Sequence, residues 1–181
     1  MDRRFTVKEI AYGGIFVALT IVGAQISIPI GQVPITFQTL FVVLSSFILN
    51  AKLSFITQLT YIALGAIGLP VFAGFSGGIA QLYGPLGGYL ISFPIATYIG
   101  GLIADRDSSV CSLVIASLTE IGIIYLFGWL RLGIFIKSFK KAVFIGILPF
   151  IPWDLLKALG AIYAYKTLKR RFIAFSQYRS L

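Results

Sequence analysis

The stretch Pro149-Phe150-Ile151-Pro152-Trp153-Asp154-Leu155-Leu156-Lys157 sets an acid and a base inside the last apolar segment of a very hydrophobic chain. The surrounding run, about 142–166, is long enough to cross a bilayer. Asp154 and Lys157 stand three residues apart and so share one face of a helix. An ionisable group near a membrane midplane costs on the order of 3 kcal/mol. A pair kept there faces a cavity, a partner charge or a ligand. The stretch therefore predicts a membrane protein with a polar site.

Composition agrees. Of 181 residues, 58% are hydrophobic and 12% charged, against about 25% charged in soluble domains; mean hydropathy is +0.95. That length predicts a single membrane-embedded domain over 1–181, with little left for a domain outside the membrane. The net charge of +9 is read as topology signal and contact with anionic lipid headgroups, not nucleic-acid binding. The chain has no His, and its one cysteine is Cys111. A His proton relay, a Cys/His metal site and a disulfide framework are excluded. No cleavable signal peptide is expected, because the first apolar segment begins near Ile10 and continues for a full span.

Apolar runs set against helix breakers predict six transmembrane helices, at about 10–28, 35–49, 53–69, 82–104, 109–130 and 142–166. An all-α integral membrane protein with both termini in the cytoplasm follows from the basic residues. Arg3, Arg4, Lys8, Lys52, Arg106, Lys166, Lys169, Arg170, Arg171 and Arg179 fall on the inner side. Arg131, Lys137, Lys140 and Lys141 point the other way and are outnumbered. The inner gaps are short and charged, whereas two outer ones, 29–34 and 70–78, are uncharged and rich in Gly and Pro. Irregular backbone at membrane depth is tolerated where it lines a cavity, so these loops are either a lid over an outward-facing site or simple tight turns.

Pro149 and Pro152 make the last helix kink or begin near Asp154. In a first turn, the carboxylate is favoured by the helix dipole. Phe150 and Trp153 add aromatic surface, the composition of a small-molecule pocket. The competing reading is a purely structural ion pair between Asp154 and Lys157. Glu120 is a second acid in an apolar run, able to pair with Lys157, carry a proton or neutralise a neighbour. Polar amides recur in the spans at Gln25, Gln38, Gln58 and Gln81; Gln38, just after an outer loop, can reach the site or bridge helices. Ala11, Gly14 and Ala18 form a small-residue face on the first span, suited to packing within the bundle or docking a partner. No Walker motif is present, so the chain itself does not use P-loop ATP chemistry.

Four blocks, VPITFQTL at 33–40, GLPVFAGFSGG at 68–78, GPLGGYL at 84–90 and PFIPWDLLKALGA at 149–161, occur in the order found in the BioY family. The chain resembles that family, the biotin-specific S components of energy-coupling factor (ECF) transporters, over nearly its whole length. It departs from the family pattern at Leu86, where Thr is commoner, and at Trp153, where Gly is commoner. The resemblance implies a multi-pass subunit of a bacterial cell membrane that binds biotin from the outer side. It implies a transmembrane coupling subunit of the EcfT type and two cytoplasmic ATPases as partners, and no cofactor or metal. Carried residue by residue, it makes Asp154 and Lys157 ligand contacts and makes the 70–78 loop, with Phe72 and Gly74, and the start of the fourth helix, with Tyr89, the other pocket region; Gln38 and Trp153 are pocket candidates from their own positions in the sequence. Ala11, Gly14 and Ala18 match its docking face. Other readings are an S component for another small vitamin, and an intramembrane acid/base enzyme using Asp154 or Glu120.

Overall fold

The computed structural model describes residues 5–29 and 33–178, with side chains described as far as 169. Arg3, Arg4 and Arg179, the Gly31-Gln32 part of the first loop, and the side chains of Arg170 and Arg171 lie outside the described residues.

Each of the six apolar segments holds a helix. In chain order these are α1 (Val7–Gln25), α2 (Gln38–Ile48), α3 (Ala51–Ala66), a short α4 (Ile79–Tyr83), α5 (Gly87–Arg106), α6 (Val110–Phe135), α7 (Phe139–Gly146) and α8 (Ile151–Tyr178). Between α1 and α2 two short strands, β1 (Ser27–Ile28) and β2 (Ile35–Thr36), pair antiparallel with Ser27 opposite Thr36. Val71–Ser76 forms a tight loop around a single 3-10 turn, closed by a Phe72–Ser76 bridge.

Local chemistry explains the helix ends. Thr6 and Glu9 form a reciprocal capping box on α1. Asn50 caps α3 and Ser109 caps α6 through side-chain oxygens. All three caps lie at the charged end of the bundle. Hydrogen bonds from Lys166 and Lys169 to Ser108, and from the Ala51 amide to Asp105, tie that end together.

α1, α5 and α6 are long and apolar enough to cross a membrane. α7 and α8, bent by 50°, form a further span if taken as one broken unit. α2 has 11 residues and α3 has 16, about 16 and 24 Å at 1.5 Å per residue.

The expected boundaries need two corrections. α6 runs on to Phe135 and takes Arg131 into the helix. The segment expected at 82–104 is split, because the turn at Gly84–Leu86 separates α4 from α5. Of the two readings of the proline pair, a kink or a start, the structure has the start: α7 ends at Gly146 and α8 begins at Ile151. Pro152 then falls in the first turn, where its missing N–H is no loss.

The distribution of polarity suits a lipid surround. Thr20, Gln38, Ser46, Gln58, Glu120, Asp154 and Lys157 are buried, while Ile15, Val22, Leu118, Ile134, Leu159 and Tyr163 face outward. The interior divides into an apolar cluster at the charged end (Phe16, Phe47, Leu53, Leu113), a middle one (Tyr61, Phe72, Phe93, Ile124) and one under the loops (Val33, Leu132, Phe150). α5 and α6 are in especially close contact: a Cβ at Gly88 would stand 2.2 Å from the Phe127 carbonyl oxygen. Only glycine permits that approach.

Candidate ligand-binding site

At the end opposite the caps, the loops and helix ends surround a cavity of about 710 Å³, including its open mouth. Its walls come from distant parts of the chain: Pro34 and Gln38 around the start of α2, Phe72 and Ser76 from the 71–76 loop, Gln81 from α4, Tyr89 and Phe93 from α5, Tyr125 from α6, and Phe150, Asp154 and Lys157 at the start of α8.

The acid and base sit against this cavity, nearly enclosed. Asp154 is 4% and Lys157 7% exposed. Lys157 Nζ donates to Asp154 Oδ1 at 2.9 Å. The Tyr125 hydroxyl donates to Asp154 Oδ2 at 2.6 Å. Each carboxylate oxygen therefore has one donor and keeps lone-pair capacity for another, and Lys157 keeps donors beyond the one it uses. A charged group satisfied in this way is fixed in position and still able to bind.

A second polar arm approaches from α2 and α3. Gln38 Nε2 donates to the Tyr61 hydroxyl at 2.5 Å, and Tyr61 donates to the Val71 carbonyl at 3.1 Å. Gln25 Nε2 donates to the Phe72 carbonyl, and its Oε1 accepts from the Phe75 amide. The loop is thus pinned from two helices. Phe72 packs edge-on against Tyr61, and Phe93 stacks on the same ring. The Tyr89 hydroxyl donates to the Gly146 carbonyl at 2.8 Å, joining α5 to the end of α7. Arg131 is bonded through Nε to the Gly84 carbonyl and through its guanidinium to Tyr83, which anchors the α4–α5 turn to α6.

The residues expected from the sequence separate clearly. Asp154, Lys157, Gln38, Phe72 and Tyr89 all line the cavity. Gly74 does not; it forms the turn behind Phe72 with φ of +68°, where glycine is favoured. Trp153 does not line it either and is 47% exposed. Next to Asp154 in sequence, Trp153 lies about 100° around the helix from it. Glu120 is fully buried away from the cavity lining, and Lys157 takes Asp154 as its partner instead. Ser76 lines it from the 70–78 loop, whereas Tyr125 and Phe93 join the lining unannounced, since an aromatic residue in an apolar run carries no distinguishing signal. Among the described residues no group of His, Cys, Asp and Glu is arranged to hold a metal.

Ala11, Gly14 and Ala18 all face outward, and a Cβ on Gly14 would meet nothing within 4 Å. Packing within this bundle falls instead to Gly13, which lies against Thr57 and Leu53.

Comparison with known proteins agrees with this architecture. The sequence model of the BioY family matches residues 1–174. A probable biotin transporter BioY of Pyrococcus horikoshii is 49% identical over 162 residues, which is 90% of this chain and 96% of that one. The biotin transporter BioY of Thermotoga maritima is 40% identical over 164 residues, covering 91% and 97%. The crystal structure of the S-component for biotin from an ECF-type ABC transporter superposes with a TM-score of 0.84 at 28% identity, covering 92% of this chain and 95% of that one. An S component of a bacterial ECF transporter, 16% identical with a TM-score of 0.57, shares the fold over 93% and 96%.

Proposed function

The chain belongs to the BioY family, and from that premise we propose that it is the biotin-binding membrane subunit, or S component, of an ECF-type uptake transporter. It is a transporter subunit and not an enzyme. The observation that carries the ligand reading is the nearly enclosed Asp154–Lys157–Tyr125 cluster on the wall of an aromatic cavity.

Biotin offers a ureido ring with two N–H donors and a carbonyl, an apolar bicycle and a valerate carboxylate. Asp154 accepts from ureido N–H groups through the lone pairs that Lys157 and Tyr125 leave open. Lys157 supplies a donor or countercharge, and Phe72, Tyr89 and Phe93 cover the ring. Gln38 contributes a polar contact from the opposite wall. Charge-assisted hydrogen bonds gain strength in so dry a site.

The membrane arrangement follows the same reading. Six helices cross the cell membrane, the short α2 and α3 beside the longer ones, with both termini in the cytoplasm and the cavity toward the outside. The asymmetric placement of caps and charges supports this orientation. The outward small-residue face of Ala11, Gly14 and Ala18 supports docking of an EcfT-type coupling subunit, with two cytoplasmic ATPases supplying the energy.

Titration of the detergent-solubilised chain with biotin tests the proposal. A saturable thermal shift is expected, reduced by Asp154→Asn. No shift at micromolar biotin, in protein shown to be folded, would sink it. Lys157→Ala assayed with biotin and with a carboxylate-modified analogue separates the two ends of the ligand. Equal loss of both would count against a carboxylate contact.

A further inference from the structure

The cavity end of the bundle carries positive charge that the protein does not neutralise. Arg131, Lys137, Lys140 and Lys141 stand there, the same residues that run against the positive-inside trend. Arg131 is taken up by the Gly84 and Tyr83 carbonyls. The three lysines are exposed, and among the described residues no partner meets their side chains. The acids are elsewhere. Glu9, Asp105 and Asp107 lie at the capped end, bonded to Thr6, Ala51 and Ser109. Glu120 is buried beside Ser46, and Asp154 is held by Lys157 and Tyr125. Asp2, at the start of the chain, lies outside the described residues.

α7 presents two of these lysines on an outward face. Its Ala142 and Gly146 are buried toward the bundle. Lys140, Lys141, Phe144 and Ile145 are exposed and, with Ile136, line an open groove. A spacing of four sets Phe144 one turn beyond Lys140, and Ile145 one turn beyond Lys141. Helical side chains lean toward the N-terminus, so both ammonium groups reach back past the start of α7. Phe144, Ile145 and Leu148 stay exposed further along it, toward the start of α8. Charge and hydrocarbon are thus separated along the helix by about one turn, roughly 5 Å.

The groove stands on a fixed support. Trp129 Nε1 donates to the Phe139 carbonyl at 3.0 Å, and the two rings pack edge to face. A Cβ at Gly133 would stand 2.4 Å from the Phe139 ring, so the first residue of α7 is seated directly on α6. Tyr89 holds the last one through the Gly146 carbonyl.

We propose that this face of α7 is a docking site for one anionic phospholipid from the leaflet on the cavity side. Its phosphate lies between Lys140 and Lys141, and an acyl chain runs over Phe144 and Ile145. The inference rests on the membrane arrangement proposed above and is separate from the biotin pocket, whose lining includes neither lysine. Charge selects the headgroup, because a zwitterionic lipid brings no net charge to offset the lysines. The apolar surface of Phe144, Ile145 and the lysine stems selects a lipid over a free phosphate. Lys137, in the turn before α7, adds to the positive field without lining the groove.

Native mass spectrometry of the purified full chain in neutral detergent, without biotin, tests this by reading bound lipid directly. Phosphatidylglycerol should be retained in preference to phosphatidylcholine with the same acyl chains. Lys140→Gln combined with Lys141→Gln should lower its affinity by about fivefold for each lysine. Phe144→Ala should weaken retention and keep the preference. An unchanged melting temperature in lipid-free detergent shows that these surface variants are folded. Equal retention of the two lipids by wild type, or a preference that survives in the double variant, would overturn the proposal. Glycerol phosphate competing as well as phosphatidylglycerol would assign the lysines to a free anion and overturn it too. A chain that fractionates with membranes yet shows no preference would lose this site and keep the membrane arrangement.

Discussion

The Tyr125 hydroxyl donates to the Asp154 carboxylate oxygen opposite the one held by Lys157, at 2.6 Å. The link ties the first turn of α8 to α6 and sets the direction in which the carboxylate presents its remaining lone pairs. Asp154 is thus held between two donors from different helices, unlike an isolated pair along one helix.

Tyr125→Phe removes that link with little change of shape. Hydrogen bonds to charged groups contribute roughly 1.5–3 kcal/mol, so biotin binding should weaken by about tenfold or more. Trp153→Ala, on the outward face of α8, should leave affinity within about twofold. Equilibrium titration with labelled biotin compares the two. Equal losses would place the pocket on the wrong face of α8.

Breaking the pair by Lys157→Met alone leaves an uncompensated buried charge and should cost roughly 3–5 kcal/mol of stability. The double change Asp154→Leu with Lys157→Met should recover much of that loss, since both charges disappear. Biotin binding should remain absent in the double variant. Binding that returned with stability would reduce the pair to a structural role.

Gly65 lies under the Phe72 ring, and a Cβ there would stand 2.0 Å from the ring carbon Cζ. Gly65→Ala should therefore push Phe72 from its place against Tyr61, lowering biotin affinity and costing roughly 1–3 kcal/mol. Gly122→Ala meets no neighbour within 4 Å and serves as the control. Thermal melts with and without biotin separate the two variants.

Gly14→Leu adds bulk where the fold offers open space. The isolated chain should keep its melting temperature and biotin affinity, while biotin uptake by cells carrying the complete transporter should fall. Unimpaired uptake would remove this face from the proposed docking surface.

Hydrogen bonds from the Ser109 hydroxyl and amide hold Asp107, in the α5–α6 loop, below the usual carboxylate range. A depressed folded-state pKa contributes stability that is present above the unfolded value and lost as pH falls through the folded one. Asp107→Asn removes that contribution, so it should lower the melting temperature at neutral pH, leave it little changed well below about pH 4, and flatten the acid limb between them. Melting temperature measured against pH in detergent reads this directly.

Much of the site was legible because charge is conspicuous in an apolar sequence. Asp154 and Lys157 identified themselves by cost, and Gln38 by its place after an uncharged loop. Tyr125 and Phe93 gave no comparable signal, because the chemistry of an aromatic residue depends on what it faces. Trp153 shows the converse: adjacency in sequence to Asp154 suggested a pocket wall, and helical rotation turned it outward. The proline pair allowed a kink or a start, and packing chose a start, with α7 set at 50° to α8.

The sequence by itself determined that the chain is a hydrophobic helical bundle, because burial of backbone polar groups in lipid leaves few alternatives to helices. It also determined which end carries the charge and where an acid and a base must be accommodated. The tertiary structure alone decided what surrounds them. Pocket walls are assembled from residues more than a hundred positions apart, and a side chain's direction depends on helix rotation and crossing, which no local pattern specifies. The same holds for Glu120, which the fold buries against Ser46 of α2 instead of pairing it with Lys157.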